Sequence, residues 1–462
     1  MTTKASSLQT LETIYKQNID QSLRDFFTFL QFESISTDPA HATQMQACAS
    51  WLENYIKEMG FETERWETST HPTIFAQNLK AGPDKPTLLI YNHYDVQPVE
   101  PLELWTTPPF KPEVRHGHVY ARGAEDNKGQ CFYVLQALRL LLERDGCLPI
   151  NVKLCIEGGE EIGSLGIDEI VAKKREKLKA DYLAIVDLDM FNRTTPAICL
   201  GVRGLITFEL ELTGSSGDMH SGFVGGIVCN PLHGLVELLS KLRDTTGRIA
   251  IPGFYDQVNE LSAEEKKHVN FTFDQEEFEK TFNAKPLGGE QNYPPQERAW
   301  IRPTLEINGI SGGHTGVGFK TVIPAKAYAK FSCRLVGDMD LKKTGNLVIK
   351  FLEEHAPKGL ELKVRQHPGG GAALQINPFS KIVSVFSRAY EEVFHTKCVF
   401  QYVGGSISII PKLAEAAGNC EVVMVGLGLP EDNIHAPNEN FSLDRIEKGA
   451  LSLARTLEIL IE

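Results

Sequence analysis

The stretch Leu88-Leu89-Ile90-Tyr91-Asn92-His93-Tyr94-Asp95 decides the fold. An apolar run ends abruptly in His93 and Asp95, one residue apart. So short and apolar a run reads as a strand covered on both faces, the usual condition of a parallel sheet. The pattern recurs downstream. Val152–Ile156 leads into Glu157-Gly-Gly-Glu160-Glu161, Tyr182–Val186 into Asp187, and Val422–Val425 into the loop Gly426–Asn440, which holds His435. Helical patterns lie between. Gly129 to about Arg144 carries Val134, Leu135, Leu138, Leu141 and Leu142 on one face, another helix ends near Leu178, and Ser442 is placed to cap a last one reaching Leu460. This alternation predicts an α/β class with a mostly parallel, doubly wound sheet. Such sheets bind ligands beyond the carboxyl ends of their strands.

The pattern changes at Leu205. Ile206, Phe208, Leu210 and Leu212 alternate with polar residues, as in an antiparallel strand with one wet face. Two strand-like runs within Val322–Val336, a helix over Leu341–His355 and a strand over Leu360–Arg365 come next. They predict an inserted α+β domain over about 205–376. A first domain over 1–204 and 377–462 would surround it, with Gly369-Gly-Gly371 as the return hinge. Residues 245–300 are polar and rich in Glu, Pro and Gly, and read as a long loop with short helices.

The chain has 462 residues, too many for one ordinary core. Its formal net charge of -13 argues against nucleic acid or an anionic membrane surface as a partner. No window approaches a membrane span, no signal peptide is apparent, and nine scattered cysteines fit a reducing cytoplasm.

Singly, each polar residue at a strand end has an ordinary reading. His93 with Asp95 could be a satisfied core histidine and a surface acid. Asp126 sits in a glycine turn, Glu160-Glu161 could be a solvated acidic turn, and Asp187 could cap the next segment. Together they differ. Two histidines and several carboxylates gathered at one sheet edge match the donor set for a pair of divalent ions roughly 3.5–4 Å apart. One further carboxylate must stay free to take a proton, and Glu160-Glu161 can supply both kinds.

The segments Asn92-His93-Tyr94-Asp95-Val96, Arg122-Gly-Ala-Glu-Asp126-Asn-Lys-Gly129 and Gly159-Glu160-Glu161-Ile-Gly163-Ser164 resemble the M20 metallopeptidase family, and within it the cytosolic non-specific dipeptidase and carnosinase-like branch. Asp218-Met-His220-Ser-Gly222, Arg334-Leu-Val336, Gly404-Gly405-Ser406 and Ile434-His435-Ala-Pro437 extend the likeness to the C-terminus. The resemblance implies a dipeptidase with two divalent ions per subunit, Zn or Mn. His93, Asp126 and Asp187 would hold one ion. Asp126, Glu161 and His435 would hold the other, with Asp126 bridging and followed by a cis bond. Asp95 would orient His93, and Glu160 would be the general base toward a metal-activated water.

The inserted domain would act as a lid and dimerisation domain in a homodimer acting on small peptides. His220 would reach the partner's site and stabilise the oxyanion. Arg334 would grip the substrate carboxylate, with Gly405 and Ser406 adding donors. The chain departs from the family pattern at Tyr402, where Arg is usual, at Ser408, where Pro is usual, and at His314, where Tyr is common. The Tyr402 departure keeps one rival open, an amidohydrolase of N-acyl or N-succinyl amino acids on the same fold; a second rival, from another class, is a non-catalytic dimeric scaffold, which the intact ligand set argues against.

Overall fold

A computed structural model describes residues 2–368, 370–405 and 409–462. Ser406, Ser408 and Gly369, the first residue of the expected hinge, lie outside the described residues. The chain forms two compact units, Met1–Leu200 with Ile376–Gln401 and Ile409–Glu462, and Gly201–Gln375 with Tyr402–Ser408.

In the first unit the sheet runs in the order Glu62–Trp66, Thr73–Asn78, Asn151–Glu157, Thr87–His93, Tyr182–Val186, Glu421–Val425, Ala197–Val202. Its centre, from Asn151–Glu157 through Glu421–Val425, is parallel, and the strands flanking it pair antiparallel. Every residue of Asn151–Glu157 and all but the first of Thr87–His93 are buried, so both faces are covered. The helix Lys128–Asp145 packs against Leu443–Ile459 and against the long first helix, Thr2–Gln31. Gly146, at φ 72°, closes Lys128–Asp145 in the left-handed region that favours glycine. His93 and Glu157 end adjacent parallel strands, and Asp187 directly follows the next, so the three emerge on one edge.

The second unit holds an antiparallel sheet in the order Thr304–Gly312, Lys326–Leu335, Gly204–Thr213, Glu361–Gln366. Gly204–Thr213 alternates buried and half-buried residues along its whole length. Phe208 lies opposite Phe331 in register, with ring centroids 4.8 Å apart. The helices Pro231–Ser240 and Leu341–Glu354 cover this face through Leu235, Leu238, Val348 and Phe351. The outer strand Thr304–Gly312 escapes sequence reading, because the register shifts between Ile307 and Gly309 and breaks the alternation. Residues 245–300 contain the short helices Ala263–His268, Gln275–Phe282 and Pro295–Trp300, as their composition suggests. Among the described residues no helix is long and apolar enough to cross a membrane.

Candidate metal centre

Asp126 stands at the centre of the strand-end cluster. Its Oδ1 lies 3.1 Å from His93 Nε2 and its Oδ2 lies 2.8 Å from His435 Nε2, one oxygen toward each imidazole. Asp187 Oδ1 is 3.6 Å from His93 Nε2, and Glu161 Oε2 is 3.4 Å from His435 Nε2. Two groups of candidate ligands result, His93 with Asp126 and Asp187, and Asp126 with Glu161 and His435. Within each, one donor atom per residue lies within 4.8 Å of the others. Asp126 belongs to both groups. His93 is buried, whereas the His435 side chain is 51% exposed, so the second group faces solvent.

The surrounding hydrogen bonds explain how these side chains are aimed. Asn127 Nδ2 donates to Asp187 Oδ1 at 2.6 Å, and Asn92 Nδ2 donates to Asn127 Oδ1 at 2.7 Å. Gln97 Nε2 donates to Glu161 Oε2 at 2.6 Å. The Asp126–Asn127 bond is cis. The turn 122–126 wraps around Glu439, whose carboxylate accepts from Arg122 Nη1 and the Gly123 N–H at 2.8 Å each. It also accepts from the Glu125 and Asp126 N–H groups at 3.0 Å each. Sequence reading missed Gln97 and Glu439. Glu439 lies in the loop after His435, where no periodic pattern marks it, while Asn92 and Asn127 stand inside the quoted motifs but carry no strand-end charge.

Asp95 does more than the resemblance implies. His93 Nδ1 is 3.0 Å from the Asp95 backbone oxygen and 3.3 Å from its Oδ1, so the backbone shares the orienting contact. The two carboxylate oxygens of Asp95 also accept the N–H groups of Glu160 and Glu161, at 3.2 and 3.1 Å. Asp189, two residues beyond Asp187, stands apart from both ligand groups. It lies instead near Gly428, where a Cβ would meet its Oδ1 at 2.4 Å.

The field of this cluster calls for positive charge. Burial opposes a charge on His93, yet Asp187, Asp126 and Asp95 together pull its pKa well above the ordinary value. Hydrogen bonds to Asp126 and Glu161 push His435 up to about 10. Burial alone would raise Asp126, but bonds from His435 and His93 hold it well below the usual carboxylate range. Burial, followed by the neighbouring carboxylates, drives Glu160 well above its ordinary value and raises Glu161 and Asp187. Among the described residues, Glu161 Oε1 is buried without a hydrogen-bond partner, as a group awaiting a cation would be. The donor set therefore fits a pair of divalent ions.

The other predicted residues lie in the second unit. His220 is exposed. Its Nδ1 accepts the Gly222 N–H at 3.0 Å, and its ring lies 4.8 Å from the Phe223 ring, between centroids. Arg203 Nε donates to the Gly404 carbonyl at 2.8 Å, and the Arg203 N–H donates to the Gly405 carbonyl at 3.0 Å. Burial, then nearby Arg334, push Arg203 down to about 10, and burial lowers Arg334 as well. Tyr402 is buried, and its hydroxyl accepts from Gln375 Nε2 at 3.1 Å.

A parallel-centred α/β unit that gathers imidazole and carboxylate ligands in two overlapping groups defines a hydrolase of the dinuclear metallopeptidase class. Residues 89–459 match the model of peptidase family M20/M25/M40, and the chain belongs to that family. It is 31% identical over 440 residues to a Cys-Gly metallodipeptidase of Candida albicans, covering 91% of this chain and 90% of the relative. It is 32% identical to the Beta-Ala-His dipeptidase of Mus musculus, over 80% of this chain and 76% of that one. Among solved structures, the di-peptidase Dug1p of Saccharomyces cerevisiae superposes with a TM-score of 0.78 at 28% identity, covering 98% of each chain. The M20 family metallo-carboxypeptidase Sso-CP2 of Sulfolobus solfataricus gives 0.82 at 32% identity, covering 95% of this chain and 99% of that one.

Proposed function

We propose that the chain hydrolyses the peptide bond of dipeptides and other short peptides, using Glu160 as general base. The single observation that carries this reading is the pair of ligand groups sharing Asp126, with the half-buried Glu160 beside Glu161. His93, Asp126 and Asp187 would hold one divalent ion, and Asp126, Glu161 and His435 the other. Bound there, Zn or Mn ions would supply Lewis-acid charge and acidify water. Glu160 takes the proton of the attacking water. It then delivers that proton to the leaving amine. Asp95 and Asn127 hold His93 and Asp187 in place, and Gln97 holds Glu161.

Arg334 and Arg203 repel one another in the second unit, and a peptide carboxylate placed between them would relieve that repulsion. Gly405 and Ser406 are assigned to the same carboxylate. His220 is assigned to the oxyanion in the site of a second copy. In support, the residues near it expose large apolar surface, with Phe223 80% exposed and Phe319 fully so. The active form is accordingly a homodimer, in which the second unit serves as lid and dimerisation surface. The compartment is the cytoplasm, a reading supported by nine free thiols.

The relatives carry dipeptidase names over nearly the whole chain, which disfavours both the N-acyl amidohydrolase and the non-catalytic scaffold. Rates on free dipeptides and on N-acyl amino acids, for metal-stripped protein with Mn or Zn restored, test the proposal. Cleavage of dipeptides that depends on the added ion is expected. Cleavage confined to N-acyl amino acids would overturn it.

A further inference from the structure

Among the described residues no side chain hydrogen-bonds the Glu160 carboxylate, so the aim of this group is set by the turn beneath it. That turn, Gly158–Ser164, is anchored at three points. At its start, the Glu157 carbonyl accepts the Tyr94 N–H at 2.8 Å. In its middle, the Asp95 carboxylate takes the Glu160 and Glu161 N–H groups. At its end stands Ser164, whose φ of 56° lies in the left-handed region, with its N–H bonded to the Gly159 carbonyl at 2.8 Å.

The residues at the first and last anchors, Glu157 and Ser164, also meet through their side chains. Ser164 Oγ donates to Glu157 Oε1 at 2.6 Å, and the Tyr91 hydroxyl donates to the same oxygen. Tyr91, Glu157 and Ser164 are all buried, and Tyr91 lies two residues before His93 on the neighbouring strand. The carboxylate therefore ties both ends of the Glu160 turn to the strand that carries His93. Burial is costly to Glu157 and pushes it up to about 7. Apolar residues would fill the same space at lower cost, so the polar trio calls for a role beyond packing.

We propose that Tyr91, Glu157 and Ser164 form a positioning clamp that holds the turn bearing Glu160 at the distance from His93 that the reaction requires. This rests on the reading of Glu160 as the base. Misplacing a reacting group by about 1 Å costs on the order of 100-fold in rate, so a loosened clamp appears in turnover before it appears in stability.

The test compares Tyr91→Phe, Ser164→Gly, Glu157→Gln, Glu157→Leu and Glu160→Gln in the full chain loaded with Mn. For each, kcat and KM on a dipeptide, bound metal and Tm are measured. Glycine accepts the left-handed backbone at Ser164 without strain, and phenylalanine keeps the Tyr91 ring. The clamp predicts that Tyr91→Phe and Ser164→Gly lower kcat about 10- to 100-fold, with KM within about twofold and metal content unchanged. Glu157→Gln, whose amide oxygen still accepts both bonds, should lose at least about fivefold less than Glu157→Leu. Wild-type kcat in Tyr91→Phe and Ser164→Gly, beside an inactive Glu160→Gln, would overturn the clamp and leave the base standing. An active Glu160→Gln would overturn the reading beneath it. Loss of metal, or a rise in KM matching the fall in kcat, would show a merely structural role and also overturn the clamp.

Discussion

Each unit gathers a cluster of charge around buried groups, and the two clusters are built in opposite ways. In the second unit, Arg302 donates to Glu290 through Nε at 2.6 Å and Nη2 at 3.1 Å, and also bonds Glu260. Arg248 Nη1 joins Glu290 at 3.0 Å, and the Tyr293 ring lies 4.1 Å from the Arg302 guanidinium carbon. Two guanidiniums face two carboxylates, and the cluster is complete in itself. At the candidate metal centre, Asp95, Asp126, Glu160, Glu161 and Asp187 crowd around His93 and His435, an excess of acid that the cations among the described residues do not match. A balanced cluster fastens the fold, here the elaborated segment before Arg302. An unbalanced one is a site for cations from outside.

The sharpest way to separate the two is through turnover. Glu160→Gln should lower kcat by about 1,000-fold while the bound metal stays at the wild-type level, read by initial rates and elemental analysis. Full metal content with near-normal turnover would remove Glu160 from the chemistry. The matching experiment on the balanced cluster is Arg302→Met. It leaves Glu290 buried without its partner and should cost about 3–5 kcal/mol in urea unfolding, while adding Glu290→Leu recovers most of that loss. Equal destabilisation in the single and double variants would mean that the pair is not the fastening.

Glu157 stands between the two designs, since it is a buried acid held by hydroxyls rather than by a cation. Burial raises its folded value from 4.5 to about 7. Between those values the native state keeps a proton that the unfolded chain has lost. The stability this gives is full below about pH 4.5 and is lost as pH rises through about 7. Glutamine does not titrate. The stability of Glu157→Gln relative to the parent should therefore climb by up to about 3 kcal/mol from pH 4.5 to 8. A flat difference in denaturation midpoint across that range would contradict the raised value. The smallest effect expected is Asp95→Asn, which keeps the shape and loses the charge behind His93. It should weaken metal binding about 10- to 100-fold in competition with a chelator.

Much of this architecture is legible in the sequence alone, for physical reasons that differ by region. The parallel centre announces itself because strands buried on both faces are continuously apolar, so Leu88–Tyr91 and Tyr182–Val186 are conspicuous and the polar residue after each stands out. Gly204–Thr213 is equally plain from its period of two. Thr304–Gly312 is not, because a bulge at Asn308-Gly309 breaks the period, and Val399–Val403 is hidden in a stretch that reads as a loop. The candidate ligands are legible as charges beyond strand ends. Their supports are not. Glu439 and Gln97 come from loops whose return to the site is set by tertiary packing rather than by local pattern.

The central claim is that the acid excess holds two cations through a shared Asp126. Equilibrium dialysis of the stripped full chain against Mn, with elemental analysis and dipeptide rates at each free concentration, tests it most directly. The account predicts saturation at two ions per chain, with turnover completed as the second ion binds. Saturation at a single ion, or turnover that does not track occupancy, would contradict it.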